Sequence, residues 1–114
     1  MNTSILTSIK SMLGIEEEYT VFDNDLIIYI NSAISTLYQI GLASADSFTI
    51  TGADETWIDL LSGYSNIETV KALLYLQVRK IFDPPQSQST MAAIDAQISE
   101  LQWRLNVEVD RGGI

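Results

Sequence analysis

The sequence predicts an all-α fold, a small bundle of about four to five helices with a long central helix, a Pro-Pro elbow and a C-terminal helix. Three observations lead to this prediction. Apolar residues recur at three- and four-residue spacing along several stretches, as they do on one face of a helix. Residues that cap helices precede these stretches, and glycines follow most of them. The prolines at 84 and 85 separate the last two stretches, because neither they nor the preceding residue continue a helix easily.

The first helix is expected to end near Leu13, with Thr3 or Ser4 as its cap and Gly14 as its C-terminal stop. Its apolar side comprises Ile5, Leu6, Ile9, Met12 and Leu13. The Glu16-Glu17-Glu18 run that follows is interpreted as a solvated linker. A cation site or a contact with a basic partner is the alternative for these three carboxylates.

The second helix is expected to begin at Asp23 and to end at Gly41. The acidic triplet 23–25 offers side-chain oxygens to the free N–H groups of the first turn, and its charge suits the positive end of the helix dipole. Calcium binding is the alternative, but a calcium loop needs a glycine turn and alternating ligands that this triplet lacks. The apolar face comprises Leu26, Ile27, Ile30, Ile34, Leu37 and Tyr38. Ile28 and Tyr29 lie on the opposite side, so a second neighbour is expected there.

Residues 42–54 are rich in Ser, Thr and Gly, with Phe48 and Ile50 alternating among them. The segment is compatible with a loop or with a short strand, and a strand needs a partner, which another copy can supply. Asp54 or Thr56 then caps a brief third helix. That helix comprises Trp57, Ile58, Leu60 and Leu61 and is expected to stop at Gly63.

Asn66 is expected to cap the long fourth helix, which reaches Phe82 and is central to the core because its apolar stripe is broad. The stripe comprises Ile67, Val70, Leu74, Val78 and Ile81, widened by Leu73, Leu76 and Phe82. The Asp83-Pro84-Pro85 elbow stops the helix. A short polar link over 86–89 then predicts an αα-hairpin with the last helix.

The last helix is expected from about Thr90 to Asn106. Its narrow apolar seam comprises Met91, Ile94, Ile98, Leu101 and Leu105, and is too short to indicate a coiled coil. Glu100 and Arg104 are spaced for an ion pair along the helix. Trp103 lies off the seam, which suggests a second contact surface. The segment Val107 to Ile114 is interpreted as a flexible tail of a single domain that covers residues 1–114.

Composition excludes several function classes. The chain has no cysteine and no histidine, which removes thiol chemistry, disulfides, thiolate metal sites and the usual neutral-pH general base. Six basic and fifteen acidic residues give a formal net charge of −9, which disfavours binding to nucleic-acid phosphates. No apolar run approaches the roughly 20 residues of a membrane span. No enzymatic activity, cofactor or metal is therefore expected.

The two tryptophans, Trp57 and Trp103, have side chains that can stack on nucleobases. The negative charge around them favours packing in the core or at a protein interface instead. The residues alone thus predict a small acidic interaction protein without a catalytic site. One reading is a non-enzymatic adaptor or regulator that binds one protein partner through its last helix, as a monomer or dimer.

Four segments together resemble the tailed-phage head–tail connector family, also called head-completion or adaptor proteins. They are the 23–40 helix with its acidic start, Trp57-Ile58 after a polar loop, the 67–82 helix followed by Asp83-Pro84-Pro85, and Glu-Leu-Gln-Trp-Arg-Leu at 100–105. The Phe-Asp-Pro-Pro run and the Glu-Leu-x-Trp-Arg-Leu segment are the most specific part. The likeness covers most of the chain.

The resemblance implies a structural virion protein at the head–tail junction, assembled in the host cytoplasm. Members of the family form a ring, commonly of twelve subunits, beneath the portal protein. Such a ring extends the DNA channel and is the platform for the next neck or tail-completion protein. It implies no enzymatic activity, no membrane contact, and genomic DNA that passes through without specific binding.

The resemblance also places candidate interface residues. The C-terminal helix and tail of such proteins often contact the portal or a neighbouring subunit. The second face of the 23–40 helix and the polar loop after it are further candidates for subunit contacts. The expected interface residues are Tyr29, Phe48, Ile50, Trp103, Arg104, Val107 and Val109.

Overall fold

The computed structural model describes residues 4–42, 45–61 and 67–110, with side chains described up to 108 in the last segment. These residues hold five helices and no strand, which confirms the all-α prediction. The helices are α1 (Ile5–Met12), α2 (Asp23–Gln39), α3 (Trp57–Leu60), α4 (Ile67–Phe82) and α5 (Gln88–Asp110). None of the described helices is both long enough and apolar enough to cross a membrane.

Helix α4 is the centre of the core, as its broad stripe predicts. It packs against α1, α2 and α5, and its fully buried side chains are Val70, Leu73, Leu74 and Val78. Helices α4 and α5 form the predicted αα-hairpin, with residues 83–87 as the link between them. Lys80 and Asp95 pair across the hairpin at 2.6 Å. Two residues of the α5 seam, Ile94 and Leu105, are buried.

Local signals at the ends of α1 and α3 act as expected. Ser4 caps α1 by accepting a hydrogen bond from the Thr7 N–H at 3.2 Å, and Gly14 ends the turn with a φ of 81°. Thr56 caps α3 and forms a capping box with Asp59, whose carboxylate accepts a hydrogen bond from the Thr56 N–H at 3.0 Å. Asp54 is therefore not the cap. The predicted stop at 63 and cap at 66 lie outside the described residues.

Helix α2 begins at the predicted residue but not by the predicted capping. Its N-cap is Phe22, which makes no side-chain capping bond. Asp23 and Asp25 already lie inside the first turn, where their charge favours the positive end of the helix dipole. The capping role expected of triplet 23–25 is therefore wrong for Asp23, because its carboxylate pairs with Lys10 at 2.9 Å instead.

Trp57 belongs to the core rather than to the surface. Its side chain is fully buried, and its indole N–H donates a hydrogen bond to Ser8 Oγ at 3.0 Å. The Lys71 ammonium lies 5.7 Å from the centre of the ring. The hydrogen bond to Ser8 satisfies the one polar atom of the indole and connects α3 to α1, and the Lys71 contact connects α3 to α4.

The polar segment after α2 is a loop wherever it is described. The backbone of Ile50 pairs with one side chain, because Asn31 Nδ2 donates to the Ile50 carbonyl at 3.0 Å and Asn31 Oδ1 accepts from its N–H at 2.7 Å. The amide of Asn31 thus takes the place of a neighbouring strand. It satisfies the polar backbone of a buried residue without any sheet.

One predicted helix boundary and the predicted burial of three residues need correction. Helix α5 continues to Asp110, so residues 107–110 are helical and not part of a tail, while 111–114 lie outside the described residues. Its end is held by a tertiary contact, since Asn106 Nδ2 donates to the Ile40 carbonyl at 2.9 Å. Met12, Tyr38 and Ile81 were expected on core faces but are exposed. Each lies in the last turn of its helix.

Candidate protein-interaction surfaces

The exposed side chains of the described residues are the groups that can contact other molecules. No group of three or more acidic side chains among them is placed to hold a metal ion. The acidic run 16–18 is exposed, as predicted for a solvated linker. We take the exposed apolar residues as candidate surfaces for protein contact.

Trp103 is the most prominent of these residues. Two thirds of its side chain (66%) is exposed, on the side of α5 that faces away from α4. Arg104 lies next to it and pairs with Glu100 at 3.0 Å, as the spacing predicts. Val107 is half-buried one turn further on, and the side chain of Val109 lies outside the described residues. The interface expected at this end of the chain therefore has an accessible aromatic residue.

The two candidates from the polar loop lie differently. Phe48 is half-buried and packs against the core. Ile50 is only 2% exposed and is part of the core itself, so it has no surface to offer a partner. The alternating pattern that suggested a contact residue reflects burial within one chain, which Asn31 makes possible by satisfying the Ile50 backbone.

Tyr29 lines a groove that the sequence did not reveal. We call it the α2–α4–α5 groove; its volume is about 260 Å³. Its walls are Tyr29, Ser32, Ala33 and Thr36 from α2, Gln77, Lys80 and Ile81 from α4, and Ile98 from α5. Ile81 is 55% exposed although it sits within this groove. The accessible surface of the groove is mostly apolar.

A second groove lies between α4 and α5, with a volume of about 360 Å³. Its walls are Ala72, Tyr75, Leu76, Gln97, Glu100, Leu101 and Arg104. The Glu100–Arg104 ion pair forms one edge of it. The sequence predicted the ion pair but not the groove, because the groove depends on how α5 packs against α4.

A buried lysine shapes the segment between α1 and α2. Lys10 is only 2% exposed, on the side of α1 that faces the core. Its ammonium donates to the carbonyl oxygens of Glu17 at 2.9 Å and Tyr19 at 2.8 Å, and it pairs with Asp23. The acidic run thus turns its carboxylates to solvent while its backbone is held by a single cation.

The same end of the molecule carries a small aromatic cluster. The rings of Tyr19 and Phe22 meet edge-on with centroids 5.8 Å apart, and Phe22 meets Phe82 in the same way at 5.1 Å. Phe82 is the last residue of α4 before the Pro-Pro elbow. The linker, the start of α2 and the elbow are therefore packed into one unit.

One carboxylate has an altered acidity. Burial opposes ionisation of Glu55, but hydrogen bonds from the hydroxyl and N–H of Thr51, and from the N–H groups of Gly52 and Glu55 itself, lower its pKa below the ordinary value of 4.5. The Thr51 hydroxyl donates to Glu55 Oε2 at 2.9 Å. The Glu55 carbonyl in turn accepts a hydrogen bond from the Ile5 N–H at 3.0 Å. This network secures the loop before α3 against the start of α1.

Comparison with known proteins gives one match. A family model described as "Phage connector protein" matches residues 5–112, which is nearly the whole chain. No curated protein and no solved structure matches the chain.

Proposed function

The chain belongs to the phage connector protein family, and we propose that it is a head–tail connector subunit that forms a ring beneath the portal protein. In this role it extends the DNA channel and provides the platform for the neck or tail-completion protein. The family match over residues 5–112 is the observation on which this proposal depends. The ring, the portal and the tail partner are inferred from it.

The described surface is compatible with a structural role. It includes large exposed apolar side chains, among them Trp103 and Ile81. Contiguous exposed apolar surface in a soluble protein commonly marks a site of contact with another molecule. Tyr29, Phe48, Trp103 and Arg104, with Val107 and Val109, are the residues that we propose for such contacts.

The net charge of −9 supports the proposed channel. DNA slides through a connector without adhering to it, and an acidic wall repels the phosphate backbone. Five of the six basic residues lie in the described part of the chain, and four of these form ion pairs with acidic side chains. The positive charge that could hold phosphates is thus largely neutralised.

Native mass spectrometry of the purified chain, over a range of concentrations and then with the cognate portal protein, tests this function. We expect a closed high-order species, either alone or on the portal, and its mass gives the number of subunits. A chain that stays monomeric or dimeric in both conditions would contradict the proposal. It would then favour an adaptor that binds one partner.

A further inference from the structure

We propose that Trp103 of one copy inserts into the α2–α4–α5 groove of the next copy. This inference rests on the proposed ring and adds the pair of surfaces that builds it. Each copy inserts its own indole into the next copy and accepts the indole of the preceding copy, so the contact repeats from head to tail.

The two surfaces lie on different sides of the same molecule. Ile98 lines the groove, and Trp103 follows five residues later on α5. At about 100° per residue, the two side chains point about 140° apart around the helix. A copy can therefore give and receive the contact at the same time. Such heterologous contacts form rings when the rotation between copies closes.

The groove matches a single aromatic side chain in size and character. Its volume of about 260 Å³ lies below the roughly 300–1,000 Å³ of pockets for drug-sized ligands. Tyr29, Ala33, Ile81 and Ile98 form an apolar lining, and Gln77 lines the groove as well. Its amide oxygen accepts one hydrogen bond from the Thr36 hydroxyl at 3.2 Å and has a second lone pair for another donor. An indole needs this combination, because its ring is apolar and its N–H requires an acceptor.

Charge favours a second copy as the occupant. Helix α5 carries Asp95, Glu100, Glu108 and Asp110 against the single base Arg104, a net charge of −3. The last turn of α4, beside the groove, carries Arg79 and Lys80. Lys80 already pairs with Asp95 of the same chain, so apart from this pair α5 has a net charge of −2 and the last turn of α4 has the charge of Arg79. The Arg79 side chain makes no ion pair within the described part of the chain. The acidic helix that bears Trp103 is thus complementary to the basic end of α4.

The chain already contains one contact of the kind that we propose. Lys71 lies 5.7 Å from the ring centre of Trp57. Lys80 at the rim of the groove can approach a docked Trp103 in the same way. The cation, Lys80, would then belong to α4 of one copy and the ring, Trp103, to α5 of its neighbour.

The expected area explains why such a contact needs a ring. One buried aromatic side chain contributes about 150–250 Å², whereas a standard stable interface buries about 800 Å² on each partner. A pair of copies is therefore weakly held. In a closed ring every copy has two such contacts, and binding to a template further favours assembly.

Cysteine cross-linking tests this arrangement, since the chain has no cysteine of its own. Copies with Ser99→Cys, one turn before Trp103, are mixed with copies with Ser32→Cys at the groove and treated with a short thiol–thiol cross-linker. Ser35→Cys, exposed on α2 but not lining the groove, is the matched control. We expect the 99–32 product to exceed the 99–35 product by about tenfold or more and to disappear with Trp103→Ala.

The outcomes separate this inference from the proposed function. A ring in native mass spectra whose 99–32 product does not exceed the 99–35 product overturns the Trp103 contact and leaves the connector role intact. Absence of the 99–32 product at every concentration, with and without portal, also overturns it. Ile58→Ala truncates an exposed residue of α3 and is the control for Trp103→Ala. Loss of the 99–32 product in this variant would also count against the contact, because the product would then not depend on Trp103 in particular.

Discussion

At the scale of single residues, Lys10 departs most from what its sequence position suggests. It lies among the apolar residues of α1 and is buried with them. Its partners are the backbone carbonyls of Glu17 and Tyr19 and the carboxylate of Asp23. All three lie beyond the end of α1, so the pattern of that helix does not reveal them. A buried ammonium is tolerated only when such partners replace its water.

Replacing Lys10 with methionine removes that cation and keeps most of its apolar length. We expect the free energy of unfolding to fall by about 3 kcal/mol, because two carbonyls and a carboxylate lose their partner. Urea denaturation of the variant measures this loss. Adding Asp23→Asn should restore part of the stability, since the uncompensated charge is then removed.

Lys71→Met is the matched control for this prediction. Lys71 lies over the Trp57 ring and is 3.8 Å from the exposed Glu68 carboxylate. We expect a loss below about 1 kcal/mol, as for other exposed ion pairs. Equal losses from both variants would show that the burial of Lys10 is not what makes it important.

Glu55 predicts a dependence of stability on pH. Because its pKa is lowered in the folded state, its ionised form stabilises the fold above its unfolded pKa of 4.5. That contribution is lost as the pH falls through the lower folded pKa. We therefore expect the stability difference between the natural chain and Glu55→Gln to be full at pH 7 and to shrink below about pH 4. Urea denaturation at both pH values checks this, and a difference that grows on acidification would refute it.

At the scale of the elements, the sequence predicted helix ends well where the signal is local. The signals at Ser4, Gly14 and Thr56 lie within one turn of the helix that each begins or ends. Pro84 disfavours the helical conformation of the residue before it. The end of α5 lacks such a signal. Its last turns are held by a contact between Asn106 and Ile40, which are far apart in sequence. Helical spacing alone cannot show that contact.

Helix α5 has a buried face and an exposed face, and one pair of variants compares their contributions to stability. Leu105 is fully buried, so Leu105→Ala should lower the free energy of unfolding by about 2–5 kcal/mol. Trp103 is exposed, so Trp103→Ala should change the stability of the monomer by less than about 0.5 kcal/mol. Thermal or urea denaturation at low concentration measures both. A large loss from Trp103→Ala would mean that the indole belongs to the fold of its own chain.

At the scale of the whole molecule, the acidic surface governs what the chain can bind. With a net charge of −9, we expect no shift of linear duplex DNA in a gel at about 50 mM salt, where electrostatic binding is strongest. A basic DNA-binding protein in the same gel is the positive control. A shift by this chain would contradict both the charge argument and a channel through which DNA passes freely.

The candidate site was predictable only in part, and its two halves show why. Trp103 stands out because it lies off the seam of its own helix, which the spacing of one segment reveals. The groove is built from Tyr29, Ile81 and Ile98, which belong to three helices. Ile81 even fits the apolar stripe of α4, and only the packing of α2 and α5 shows that it remains exposed.

The opposite burial of the two tryptophans makes the unmodified chain its own optical probe. Trp57 is shielded from solvent and Trp103 is largely exposed. Quenchers such as acrylamide should therefore reach one emitter and spare the other, and the emission of Trp103→Phe should come from the shielded ring alone. Any partner that covers Trp103 should shift the fluorescence to shorter wavelength without a label. Contact of another molecule with Trp103 can thus be followed by fluorescence, in real time, on the natural protein.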